Sequence, residues 1–126
     1  MATRELTTEN FEEVVSSNDL VFIDFWAQWC GPCRSFAPAY EKVSALHPDA
    51  VFAKVDTEAQ QALAASFNIM SIPTLMIIRE QVVIFSQAGA LPESALADLM
   101  QKASALDMRE NHRQVAEEQA APTVRA

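Results

Sequence analysis

The chain has 126 residues, half of them hydrophobic and 21% charged, with a formal net charge of −8 and a sequence pI of about 4.6. That length suits one domain with a real core, and the acidic balance argues against nucleic acid and anionic membrane surfaces as partners. No apolar run reaches the roughly 18 residues of a membrane helix, and the start of the chain lacks the apolar centre of a signal peptide, so a cytoplasmic setting is expected.

In chain order, Thr7 to Val15 reads as a first helix, capped by Thr7 or Thr8 and acidic in its first turn. Ser16 to Asp19 is a turn cluster. Leu20 to Phe25 is apolar on both faces except at Asp24, the pattern of a central strand covered on both sides. Helical spacing then runs to Leu46, with Pro38 inside the helix as an expected kink. Ala50 to Asp56 is a second strand carrying Lys54 near its end. Thr57 is placed as the cap of a short helix over Glu58 to Phe67. Strands follow at Thr74 to Ile78 and Val82 to Gln87, joined by a turn at Arg79-Glu80-Gln81. Pro92 opens a last helix to about Leu106, with Leu96, Leu99 and Met100 on its apolar face. The domain therefore spans residues 1–106, and 107–126 reads as a polar tail, a frayed helix and then a loose end. Alternating helices and strands followed by two adjacent strands give an α/β layer fold, with parallel crossovers first and a hairpin at the sheet edge.

The only two cysteines, Cys30 and Cys33, lie where the first long strand hands over to a helix. The unpaired N–H groups and positive dipole end of a helix start stabilise a thiolate, so Cys30 is expected to ionise below the ordinary thiol value of about 8.5. A two-residue spacing lets the sulfurs approach, and Gly31 and Pro32 suit the tight start, since proline loses no hydrogen bond in the first helical turn. The rival reading is half of a zinc site. Zinc asks for four ligands, and His47 and His112 are the only further strong candidates, without a second cysteine pair. A redox dithiol is the better reading and no metal is expected.

Asp24 is a carboxylate in an apolar strand, where burial raises its pKa and suits it to proton transfer. An ion pair with Lys54, at a matching height on the neighbouring strand, is the plainer alternative. Ile72-Pro73 before a strand reads either as an edge feature or as a cis peptide that exposes backbone to a client. Trp26 is expected half in the core, and Trp29 is a candidate exposed apolar contact.

Together Asp24-Phe25-Trp26-Ala27, Trp29-Cys30-Gly31-Pro32-Cys33, Pro38, Lys54, Ile72-Pro73-Thr74 and Gly89-Ala90 resemble the thioredoxin family, over about Thr3 to Leu106. The resemblance implies a thioredoxin fold, a three-layer α/β/α sandwich around a mixed sheet, and a protein-disulfide reductase, an electron carrier in cell redox homeostasis. It implies that Cys30 attacks the client disulfide, that Cys33 resolves the mixed disulfide, and that Asp24, modulated by Lys54, assists proton transfer. Pro73 would be cis beside the sulfurs, and Trp29, Ile72, Thr74, Gly89 and Ala90 would form the client-docking patch. No bound cofactor is implied beyond the Cys30–Cys33 disulfide. The implied partners are disulfide-containing clients and a flavin-dependent thioredoxin reductase drawing on NADPH, with the protein itself a monomer. A binding module without turnover, and a disulfide oxidant or isomerase, are the alternatives. The chain departs from the family at Asn68 and Ser71, where glycine is usual, and at Glu80-Gln81, in place of Asn-Gly or Asp-Gly. A different turn type, a longer loop or strain is expected at that hairpin.

Overall fold

The computed structural model describes residues 2–109. Its elements are β1 (Thr3–Glu5), α1 (Phe11–Ser17), β2 (Leu20–Trp26), α2 (Gly31–Leu46), β3 (Val51–Asp56), α3 (Gln61–Ser66), β4 (Thr74–Arg79), β5 (Val82–Ala88) and α4 (Glu93–Ala105). The five strands form one sheet in the order β1-β3-β2-β4-β5. β1 and β2 run parallel to β3, and β4 runs antiparallel to both β2 and β5. The expected mixed sheet, with its crossovers first and its hairpin at the edge, is what forms.

Side chains alternate across a strand, and the two faces of β2 show it. Val21, Ile23 and Phe25 join Val14, Val15 and Leu63 of α1 and α3 in one buried cluster. Leu20 and Phe22 join Phe36, Tyr40 and Val43 of α2 and Leu96 and Met100 of α4 in the other. The sheet is therefore sandwiched between two helical layers. Asp24 has the parity of Phe22, which assigns it to the α2 side. Phe22 and Phe52 stack there with ring centroids 4.6 Å apart.

Three local expectations need correction. The sequence reading has no strand before the first helix, yet Thr3–Glu5 pairs with β3. Three polar residues carry no alternation to detect, and the strand exists because a neighbour offers an edge. It is secured at its ends: Leu6 is fully buried, while Ala2 N and Thr3 Oγ1 donate to the Glu41 carboxylate of α2 at 2.8 and 2.7 Å. Next, α1 starts at Phe11 and not at Thr7. Thr7 and Asn10 bond each other reciprocally, side chain to backbone N–H, and this closes a turn ahead of the helix. Likewise α3 starts at Gln61. Thr57 does not cap it, because its hydroxyl and its N–H both go to Trp26 O. Asp56 Oδ1 instead accepts from the N–H groups of Glu58 and Ala59.

At the β4–β5 hairpin, of the three expected outcomes it is strain that is found, without a longer loop or a different two-residue turn. Arg79 pairs directly with Val82, and both loop residues have positive φ, 51° at Glu80 and 70° at Gln81. That is the backbone of the turn Asn-Gly favours, here adopted by residues with full side chains. The Glu80 N–H donates to Asp19 O at 2.8 Å. The Arg79 guanidinium lies by the Asp19 and Glu80 carboxylates and donates to the Ala103 and Leu106 carbonyls at the end of α4. Beyond α4, Met108 is 5% exposed, so packing continues to there. The expected tail lies outside the described residues from 110 onward, and so does His112. α2 runs through Pro38 as one helix.

Candidate active site

The site forms at the end of β2, where the chain leaves the sheet at Trp26 and turns into α2. Cys30 is the residue immediately before that helix, in extended conformation, and its sulfur accepts the Cys33 N–H at 3.2 Å. A helix start leaves such N–H groups without backbone partners, so here the first cysteine's sulfur serves as the cap. Pro32 sits in the first turn, where its missing N–H costs nothing. Cys30 and Cys33 are joined by a disulfide, with Cα atoms 5.2 Å apart. Arg34, one residue on, donates from Nη1 to Gln28 O at 2.8 Å and so ties the loop before the cysteines to the helix after them.

The second wall comes from the loop before β4. The Ile72–Pro73 peptide is cis, one of the two forms the sequence allowed. The Ile72 carbonyl oxygen lies 3.8 Å from Cys30 Sγ, and Ile72 and Trp26 pack on the cluster of Ala27, Cys30 and Cys33. Gly89 joins this wall: its N–H donates to Pro73 O at 2.8 Å, at a φ of 109° that a side chain would strain. Ala90 follows it on the surface. Thr74 behaves otherwise than expected for a docking residue. Its side chain is buried and its hydroxyl donates to Ser71 O at 2.6 Å, so it braces the loop from within.

Asp24 lies beneath, opposite Lys54 on β3 and Leu75 on β4. It is fully buried, and among the described residues no group donates to either carboxylate oxygen. Burial pushes its carboxyl from 3.8 up to about 7, and the Lys54 charge opposes part of that rise. The expected ion pair does not form at contact distance: the Lys54 ammonium sits 4.8 Å from the centroid of the Trp26 ring instead. A cation over an aromatic face is attracted to it, so the Lys54 charge has a partner in Trp26 and reaches Asp24 only through space. The Tyr40 hydroxyl donates to Ala53 O at 2.7 Å, and burial first, then the Asp24 charge, holds that phenol well above its ordinary value of 10.0.

Beside the sulfurs runs an open groove of about 500 Å³ with Trp29 and Met70 on its rim and Ile69, Ile72, Ala64 and Ala65 among its lining. Trp29 is 65% exposed and Met70 92%. Met70 and Arg34 are absent from the sequence-based site. Neither belongs to a spacing pattern: Arg34 is placed by its bond back to the loop before the cysteines, and Met70 by the groove it lines with Trp29. Among the described residues no cluster of three or more His, Cys, Asp or Glu side chains is arranged to hold a metal.

Known proteins resemble this chain both in sequence and in fold. The family model described as Thioredoxin matches residues 2–102. The chain is 60% identical over 119 residues to "Putative thioredoxin 2" of Streptomyces coelicolor, covering 94% of this chain and 89% of that protein. Among solved structures it is similar to a mutant thioredoxin from Halobacterium salinarum NRC-1, with a TM-score of 0.77 at 31% identity, over 84% of this chain and 95% of that one. It is also similar to a chain solved in work on thiol resolution in a yeast mitochondrial 1-Cys peroxiredoxin via glutathione/thioredoxin systems. There the TM-score is 0.73 at 28% identity, over 79% of this chain and 94% of that one.

Proposed function

The chain belongs to the thioredoxin family, and from that premise we propose how its residues carry out protein-disulfide reduction. It is a thiol–disulfide oxidoreductase whose working group is its own redox-active disulfide. The observation that carries the residue-level reading is the Cys30 sulfur at the start of α2, held by the Cys33 N–H and touching the Ile72 carbonyl.

In the reduced protein the helix start stabilises a thiolate at Cys30. That thiolate attacks one sulfur of a client disulfide. A Cys30–client bond forms, the client S–S bond breaks, and the other client sulfur leaves as a thiolate that takes up a proton. Cys33 then loses its proton and attacks Cys30 Sγ. The Cys30–Cys33 bond forms, the mixed disulfide breaks, and the second client thiol departs. Two electrons have passed to the client. Asp24 is the proposed proton acceptor for Cys33. A carboxyl with a pKa of about 7 suits that task near neutral pH, and Lys54 modulates it through its charge. Gly31 and Pro32 shape the helix start, Pro73 packs beside the sulfurs, and Trp29, Ile72, Gly89 and Ala90 meet the client.

The proposed setting is the cytoplasm, where thiols are kept reduced. The proposed reductant of the oxidised form is a thioredoxin reductase drawing on NADPH. Peroxiredoxins are among the proposed clients, because one similar chain was solved in work on a peroxiredoxin whose thiol is resolved via glutathione/thioredoxin systems. A binding module without turnover is not favoured, since both cysteines and the buried carboxylate are intact.

An equilibrium titration of Cys30/Cys33 against a dithiothreitol couple, followed by Trp fluorescence, tests the assignment. A potential near about −270 mV is expected, whereas about −180 to −120 mV would mark an isomerase or oxidant and overturn it. Cys30→Ser is expected to abolish turnover, while Cys33→Ser traps the client as a mixed disulfide. The reverse pattern would exchange the two roles.

A further inference from the structure

Resting on the reading above, we propose that Met70 is a specificity-determining residue. Its exposed thioether selects clients that carry a large uncharged apolar side chain close to the disulfide. A single exposed apolar residue is ordinary. Met70 differs because the backbone on either side of it is anchored and its side chain lines an apolar groove that reaches Ile72, beside the reacting sulfur.

The anchoring comes from both sides. Asn68, at a φ of 55°, turns the chain out of α3, and the Ile69 N–H donates back to Ala64 O at 3.2 Å while the Ile69 side chain packs on the core. On the other side, Thr74 holds Ser71 O. Between these two anchors Met70 is turned out to solvent, 92% exposed. Anchoring the backbone on both sides removes the loop's share of the ordering cost that binding otherwise meets, and the free methionine side chain adapts to varied apolar partners.

Continuity with the dithiol sets the occupant. Met70, Trp29 and Ile72 line one groove, and the Ile72 carbonyl oxygen is 3.8 Å from Cys30 Sγ. Met70 is two residues from Ile72, and two extended residues span at most about 7 Å. A client strand laid along this loop with its cysteine at Cys30 therefore brings a side chain about two positions away to Met70. The polar members of the groove, Thr57, Gln61 and Ser71, carry no charge. Nothing there compensates the desolvation of a charged client residue, whereas an apolar one gains by being covered.

The test uses two client peptides held in a disulfide, identical except for Leu or Glu two positions from the attacked cysteine, with 5,5′-dithiobis(2-nitrobenzoate) as a small disulfide that does not reach the groove. Second-order reduction rates are measured for the reduced wild-type protein and for Met70→Ser and Met70→Leu. Wild type is expected to prefer the Leu peptide by about tenfold, the low end of what an apolar contact discriminates. Met70→Ser is expected to lose most of that preference and Met70→Leu to keep it, with the small disulfide reduced equally by all three. No preference in wild type, an unchanged preference in Met70→Ser, or an equal loss on all three disulfides overturns the inference. Failure of wild type to reduce even the small disulfide overturns the reductase reading on which it rests.

Discussion

Replacing Asp24 by Asn is expected to stabilise the oxidised protein at alkaline pH and to leave it nearly unchanged in acid. The carboxyl is fully buried without a hydrogen-bond donor among the described residues, and its pKa stands at about 7 against an ordinary value of 3.8. The sign follows from proton binding. Between those two values the folded protein holds a proton that the unfolded chain has released, so stability falls as pH rises through that window. Above it, both states are ionised and the full cost persists. Below it, both are protonated and there is none. At about 1.4 kcal/mol per pH unit, the gap makes ionised Asp24 cost about 4 kcal/mol at pH 8.5. Asparagine removes that cost, and its neutral amide takes the place of a neutral carboxyl that is equally without a donor, so the exchange itself adds little. The expected net gain at pH 8.5 is thus about 4 kcal/mol, set against a change near zero at pH 4. The assay is guanidinium unfolding of oxidised wild type and Asp24→Asn at several pH values, read by Trp fluorescence. The disulfide keeps thiol titration out of the comparison. A difference between the two proteins that does not grow as pH rises from 4 to 8.5 would refute the argument, because ionisation of Asp24 would then not be what burial opposes.

Two further predictions concern the scaffold. Tyr40→Phe removes the buried bond from the hydroxyl to Ala53 O, so a loss of about 0.5–1.5 kcal/mol is expected in denaturant unfolding; no loss would mean that this bond adds nothing net to stability. Gln81 holds a φ of 70°, and Gln81→Gly is expected to raise stability by about 0.5–1 kcal/mol, seen as a higher Tm, as the strain of a side chain in the left-handed region is relieved. A lower Tm would show that glycine's freedom in the unfolded chain outweighs that strain.

Much of this protein is legible without its fold. The apolar strand Leu20 to Phe25, the helix from the cysteines to Leu46 and the last helix after Pro92 are strong local signals, because covering both faces of a sheet demands a run of apolar residues and an amphipathic helix demands a stripe. The dithiol is equally local: two residues of spacing at a helix start are enough to predict a reactive pair. Short polar pieces are not legible in this way. Thr3–Glu5 becomes a strand only because β3 has a free edge, and α3 starts later than its sequence suggests because Thr57 bonds the Trp26 carbonyl across the sheet.

The groups proposed to carry the chemistry are written locally in the chain, since the cysteine pair, the capping geometry and the lone carboxylate in an apolar strand all follow from sequence neighbours. How those groups meet is a matter of packing. It set Lys54 over the Trp26 ring and left Asp24 without a contact partner among the described residues. It turned Thr74 inward as a brace, and brought Ile72 against Cys30 from 42 residues away. Burial, charge pairing and groove shape are properties of pairs distant in sequence, and their energies depend on separations that only the packed chain defines.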